Sequence, residues 1–239
     1  MVGIGTLVNV GAIILGGVIG LFVKNGLPEK VKRTIMQALG LSVIFIGVMG
    51  VLDASEKIIS LDGFDPIMTM ILCLIIGGVI GELIDVEDKL DKLGKYIQSK
   101  VGNTGDFVKG FVTASLIFCI GAMAIVGALE DGLLQNPQKL YAKAILDGVA
   151  AIVFTTTLGI GVIFSIIPVF IYQGGITLLS SLIEPVLTDV VIFQMSLVGN
   201  VLIFAIGINI LEITKIKIGN LLPAIFIPLI IGIIKLFII

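Results

Sequence analysis

A chain of 239 residues in which 57% are hydrophobic and only 13% charged, with a mean hydropathy of +1.21, is not a water-soluble domain, where about a quarter of residues carry charge. A formal net charge of −2 without a basic stripe argues against nucleic acid as a partner, and the absence of histidine removes the commonest general base and metal ligand. The expectation is an all-α, polytopic transmembrane bundle in a single domain, 1–239, that is not an enzyme and uses no metal or cofactor.

Crossing a bilayer takes roughly 20 apolar residues as a helix. Eight segments qualify: about 2–23, 36–53, 66–85, 108–129, 141–157, 159–183, 190–212 and 218–239. The first lacks a basic leader and an A-x-A site, so it is expected to stay rather than be cleaved. Along it Gly5, Asn9, Ala12, Gly16 and Gly20 recur every three or four positions, a stripe of small side chains that lets helix backbones approach closely. The third span repeats the small-residue spacing at Gly77 and Gly81 and then carries Glu82. After it, Val86, Leu90, Leu93, Ile97 and Val101 fall at helical spacing with charges opposite, which predicts an amphipathic helix over 86–101 lying at the interface.

The fourth span offers Ser115 and Cys119 one turn apart. Cys73 and Cys119 lie in different spans at no metal or disulfide spacing and read as small packing residues. In the fifth span Asp147 stands one turn beyond Lys143, so it either pairs with that lysine or faces a water-filled cavity where it could take a proton or cation. Thr155, Thr156 and Thr157 mark a helix break. Pro168 is expected to kink or interrupt the sixth span ahead of Tyr172 and Gln173. Residues 141–183 accommodate either two tight spans or one span with a re-entrant hairpin. The seventh span contributes Asn200 and Asn209.

Positive charge sets the orientation, because cytoplasmic loops hold the excess of Lys and Arg. With the N-terminus outside, Lys24, Lys30, Lys32, Arg33, Lys89, Lys92, Lys95, Lys100, Lys109, Lys215 and Lys217 lie inside. Only Lys57, Lys139, Lys143 and Lys235 are left outside. Related strings recur: S-V-I-F-I-G-V-M at 42–49, S-L-I-F-C-I-G-A-M at 115–123 and V-L-I-F-A-I-G-I-N at 201–209. G-G-V-I-G stands at 16–20 and 77–81, and I-G-V-I-F at 160–164 is a looser echo. These predict two-helix repeat units over about 2–53, 66–129 and 159–212, the third inverted relative to the others.

The residues G-F-V-T-A-S-L-I-F-C-I-G-A-M-A-I-V-G-A-L-E-D-G (110–132), K-A-I-L-D-G (143–148), G-I-G-V-I-F-S-I-I-P-V-F-I-Y-Q-G (159–174) and N-L-L-P-A (220–224) resemble a bacterial membrane family. It is domain-of-unknown-function family 554, the YdfK/YqgA type. G-T-L-V-N-V-G-A-I-I-L-G-G (5–17) and A-L-G-L (38–41) fit the same pattern. The resemblance covers essentially the whole chain and implies a multi-pass protein of the bacterial inner membrane. It brings no binding residues with it.

Repeats and broken helices are the material of alternating-access carriers. The expected function is therefore secondary transport of a small ion or metabolite. Its lining would be Asn9, Ser115, Cys119, Thr155, Thr156, Thr157, Tyr172, Gln173, Asn200 and Asn209, with Asp147 and Glu82 as coupling carboxylates. The alternatives are a passive channel, or a scaffold in which the glycine seams serve assembly alone. The lipid bilayer is the expected partner, and a homodimer is the expected assembly.

Overall fold

The computed structural model describes residues 2–24, 28–62, 65–101, 107–120 and 122–238, and the described residues form helices without strands. In chain order these are α1 (Ile4–Lys24), α2 (Glu29–Asp62), α3 (Pro66–Ile84), α4 (Val86–Val101), α5 (Phe107–Cys119), α6 (Ala122–Leu133) and α7 (Gln138–Leu158). Then follow α8 (Gly161–Phe164), α9 (Ile166–Leu178), α10 (Ser180–Ile183), α11 (Asp189–Ile210), α12 (Ile218–Leu221) and α13 (Pro223–Ile238). Six segments are long and apolar enough to cross a membrane: Ile4–Val23, Arg33–Leu61, Pro66–Ile84, Gln138–Leu158, Gly161–Leu178 and Asp189–Ile210. Their outward side chains are apolar as well: Phe22 is 78% and Leu83 83% exposed, as lipid-facing residues should be.

Three sequence expectations change in detail. The span expected at 108–129 is two helices, Phe107–Cys119 and Met123–Leu133, bent by 61°, and the pair would be a seventh crossing if taken together. Gly121 of the second repeat string lies outside the described residues. The last expected span is the shorter apolar stretch Ile218–Ile234. Pro168 does not interrupt its helix. The break comes earlier, between Gly159 and Ser165, and Pro168 occupies the first turn of α9, where a missing N–H costs nothing. Gly159 takes φ 78 and ψ −162, a conformation suited only to glycine, and that ends α7.

The chain divides into two compact units. The first comprises Met1–Leu39, Leu90–Cys119 and Met123–Ser181. Its central seam is α1 against α7. A Cβ on Gly16 would lie 2.1 Å from the Gly148 carbonyl oxygen, and one on Gly20 would lie 2.5 Å from that of Ile152. Residue numbers rise together, so the two helices are parallel. On the other side of α1, Gly17 meets Ile163 while Asn9 meets Gln173, so α9 runs antiparallel to α1. The Phe107 ring joins Phe111 and Phe164, with centroids 6.4 and 5.3 Å away, and packs the start of α5 onto α8.

The second unit comprises Gly40–Lys89, Ile120–Ala122 and Leu182–Ile239. Here the second G-G-V-I-G string does what the first does. Gly77 lies against Ala224, and a Cβ on Gly81 would overlap the Asn220 carbonyl oxygen. The sense is opposite, with α3 antiparallel to α12 and α13. α2 and α11 form a reciprocal seam: a Cβ on Gly47 would stand 2.6 Å from the Phe204 nitrogen, and one on Gly207 2.8 Å from that of Ile44. The first and third repeat strings thus lie face to face and antiparallel.

Candidate functional site

The first unit buries a cluster of polar side chains from α1, α7 and α9. Helical spacing places Lys143 and Asp147 one turn apart on the face of α7 that meets α1. The lysine Nζ donates to both carboxylate oxygens, at 2.9 and 2.7 Å, and both side chains are less than 10% exposed. Of the two readings open for Asp147 in the sequence, pairing with Lys143 is the one observed. From α1, Asn9 donates through Nδ2 to Asp147 Oδ2 at 2.9 Å and to Gln173 Oε1 on α9 at 3.1 Å.

The amide orientations follow from chemistry. An ionised carboxylate accepts only, so Asn9 turns its NH2 to Asp147, and Gln173 then has to offer its oxygen to that same nitrogen. Two atoms are left over, Asn9 Oδ1 and Gln173 Nε2, both on side chains with no solvent exposure and both without a partner. A buried donor and a buried acceptor left unmade are each costly, on the order of 1–3 kcal/mol. The cluster is net neutral and presents one free donor and one free acceptor. Cys119 closes α5, and Tyr172 directly precedes Gln173 on α9.

The other expected residues fall elsewhere. The Ser115 hydroxyl donates to the Phe111 carbonyl of its own helix at 2.5 Å. Thr156 does the same to Val153 at 2.7 Å, and Thr157 to Phe154 at 3.0 Å. Thr155 is fully buried against Gly20, its hydroxyl unpartnered. Asn200 and Asn209 belong to the second unit. Asn200 donates to Ser196 on its own helix, and Asn209 bridges to the backbone of Ile216, closing the turn after α11. Glu82, near the exposed end of α3, takes Lys217 Nζ at 2.5 Å and Asn220 Nδ2 at 2.6 Å. The hydrogen bond from Lys217 to Glu82 holds its ammonium above the usual lysine range.

Three further buried polar residues of the first unit escaped the sequence reading as site residues: Thr6, Asp131 and Thr177, each at most 1% exposed and each with an unpartnered oxygen. Asp131 accepts the backbone N–H of Gly5 at 3.1 Å through its other oxygen. The sequence did carry a signal. Thr6 stands three positions before Asn9 and Thr177 four after Gln173, so each shares a helical face with an amide already singled out.

Comparison with known proteins places this chain among membrane proteins. A family described as a protein of unknown function, DUF554, matches residues 4–233. The uncharacterized membrane protein YdfK of Bacillus subtilis (strain 168) is 33% identical over 225 residues, 94% of this chain and 93% of that protein. The uncharacterized protein YqgA of Escherichia coli (strain K12) is 29% identical over 233 residues, 95% and 94% of the two chains. No solved structure matches.

Proposed function

We propose that this chain, which belongs to the DUF554 family, is a secondary carrier for a small polar solute in the bacterial inner membrane. One observation carries the reading: a buried, net-neutral Lys143–Asp147 pair whose amide neighbours leave Gln173 Nε2 and Asn9 Oδ1 unpaired. Charged and amide groups are expensive in a membrane interior and concentrate on solute paths. A solute offering an acceptor to Gln173 and a donor to Asn9 would give a partner to both unpartnered atoms of the cluster. The breaks at α5/α6 and α7/α8/α9 add support, because carriers use interrupted helices around their sites. The antiparallel pairing of the first and third repeat strings supports an inverted duplication, and the lysine distribution supports an outside N-terminus. Two copies related by a twofold axis are the proposed assembly.

The test is uptake into proteoliposomes from a panel of labelled small polar metabolites and ions. Saturable uptake of at least one compound is expected, lowered roughly 10–100-fold by Gln173→Ala and by Asp147→Asn, the range that loss of one buried hydrogen bond implies. Uptake unchanged in both variants overturns the assignment, and flux that does not saturate makes the protein a channel. A scaffold gives no uptake, and its Gln173→Cys, in a background lacking Cys73 and Cys119, stays inert to a soluble thiol reagent from both sides.

A further inference from the structure

One helical turn from the Asn9–Gln173 pair, the first unit buries a second polar group that the cluster above does not use. α1 and α9 are antiparallel with Asn9 opposite Gln173. Thr6, one turn earlier on α1, and Thr177, one turn later on α9, therefore come to the same level, on the order of 4.5–6 Å along the helix from that pair. Asp131 joins them from α6. Its Oδ2 accepts the Gly5 N–H beside Thr6, and a Cβ on the next residue, Gly132, would sit 2.4 Å from the Thr177 carbonyl oxygen. Three unpartnered oxygens thus lie at this one level of the unit, the Asp131 carboxylate Oδ1 and the Thr6 and Thr177 hydroxyls, on side chains that are 0–1% exposed.

Charge makes the arrangement one-sided. The lysines of α7 nearest this end are committed elsewhere, Lys139 to Glu130 at 2.6 Å and Lys143 to Asp147 at 2.7 Å. Among the described residues Asp131 has no cationic partner, and a buried carboxylate is costly until one is supplied. The first turn of α1 gives it one N–H and the positive end of a dipole, which serves one oxygen only. Oxygen-only ligands select a hard cation. A single carboxylate suits one positive charge better than Ca²⁺ or Mg²⁺, which draw on more carboxylates or on phosphates.

We propose that Asp131, Thr6 and Thr177 bind a small monovalent alkali cation next to the solute cluster. The binding site stands on its own geometry; a role as the coupling ion rests on the carrier reading. The test needs no transport. The purified full chain in detergent is heated while NaCl, LiCl or KCl replaces choline chloride at constant ionic strength. One of the three should raise the melting temperature saturably, because a ligand of the native state stabilises by mass action. Asp131→Asn should abolish the response. Thr6→Val and Thr177→Val should each move its midpoint at least about tenfold higher, and they decide the matter if Asp131→Asn does not fold. No response above choline in the natural chain, or the same midpoint in all the variants that fold, overturns the site. A cation response without any solute uptake would keep the site and remove its coupling role.

Discussion

Lys143→Met is expected to cost about 3–5 kcal/mol in unfolding free energy, the penalty for leaving the other member of a buried ion pair uncompensated. Asp147 is then held in an apolar interior with one amide donor, Asn9, in place of two charge-assisted bonds and that amide. The double variant Lys143→Met/Asp147→Leu should recover most of the loss, since well-packed apolar residues replace a buried pair at little cost. Denaturant unfolding in mixed micelles checks both. Stability restored with uptake abolished is the expected signature of charges retained for function. A loss below about 1 kcal/mol in the single variant, typical of exposed pairs, would mean that water reaches the lysine and the cluster is not sealed.

Gly16→Ala is expected to be among the most damaging of the smallest possible changes to the first unit. The added Cβ would stand 2.1 Å from the Gly148 carbonyl oxygen and 3.3 Å from the Ala151 side chain. Backbone cannot swing aside as a side chain can, so α1 has to lift from α7, at a cost of about 1–3 kcal/mol or more. In lipid no hydrophobic gain offsets the lost packing. Gly11→Ala on the same helix is the control. A Cβ there meets nothing within 4 Å, and the exchange should stabilise by about 0.5–1 kcal/mol through backbone entropy. Equal melting temperatures for the two variants would refute the seam. Because Asn9 and Asp147 meet across it, Gly16→Ala should also weaken uptake.

Much of the helical framework was readable in the chain, because apolar runs of bilayer length have few other uses. The amphipathic pattern at 86–101 became α4 with those same ends, since its period and its charges agree. The Lys143–Asp147 pair was visible because its partners are one helical turn apart. What stayed hidden was contact at long range. Asn9 and Gln173 both stood out as amides in apolar helices, yet nothing local says that they meet across a sequence separation of 164. Hydroxyls carry less signal for the opposite reason: Ser115, Thr156 and Thr157 donate within their own helices, as Ser and Thr commonly do. Pro168 looked like a breaker because its place within a helix, first turn or interior, depends on where Gly159 had already stopped the one before.

That stop at Gly159 has a mechanical result. Asn9 and Asp147 ride on helices locked backbone to backbone, while Gln173 sits past an irregular stretch whose backbone is free of any continuous i-to-i−4 ladder. Asn9 and Asp147 thus share one frame, while the helix that carries Gln173 is joined to α7 through the turns of α8 rather than by continuous helix. On the carrier proposal, adjustment to a solute is expected to fall to α9, so spin labels on α9 should shift against α1 where labels joining α1 and α7 stay put.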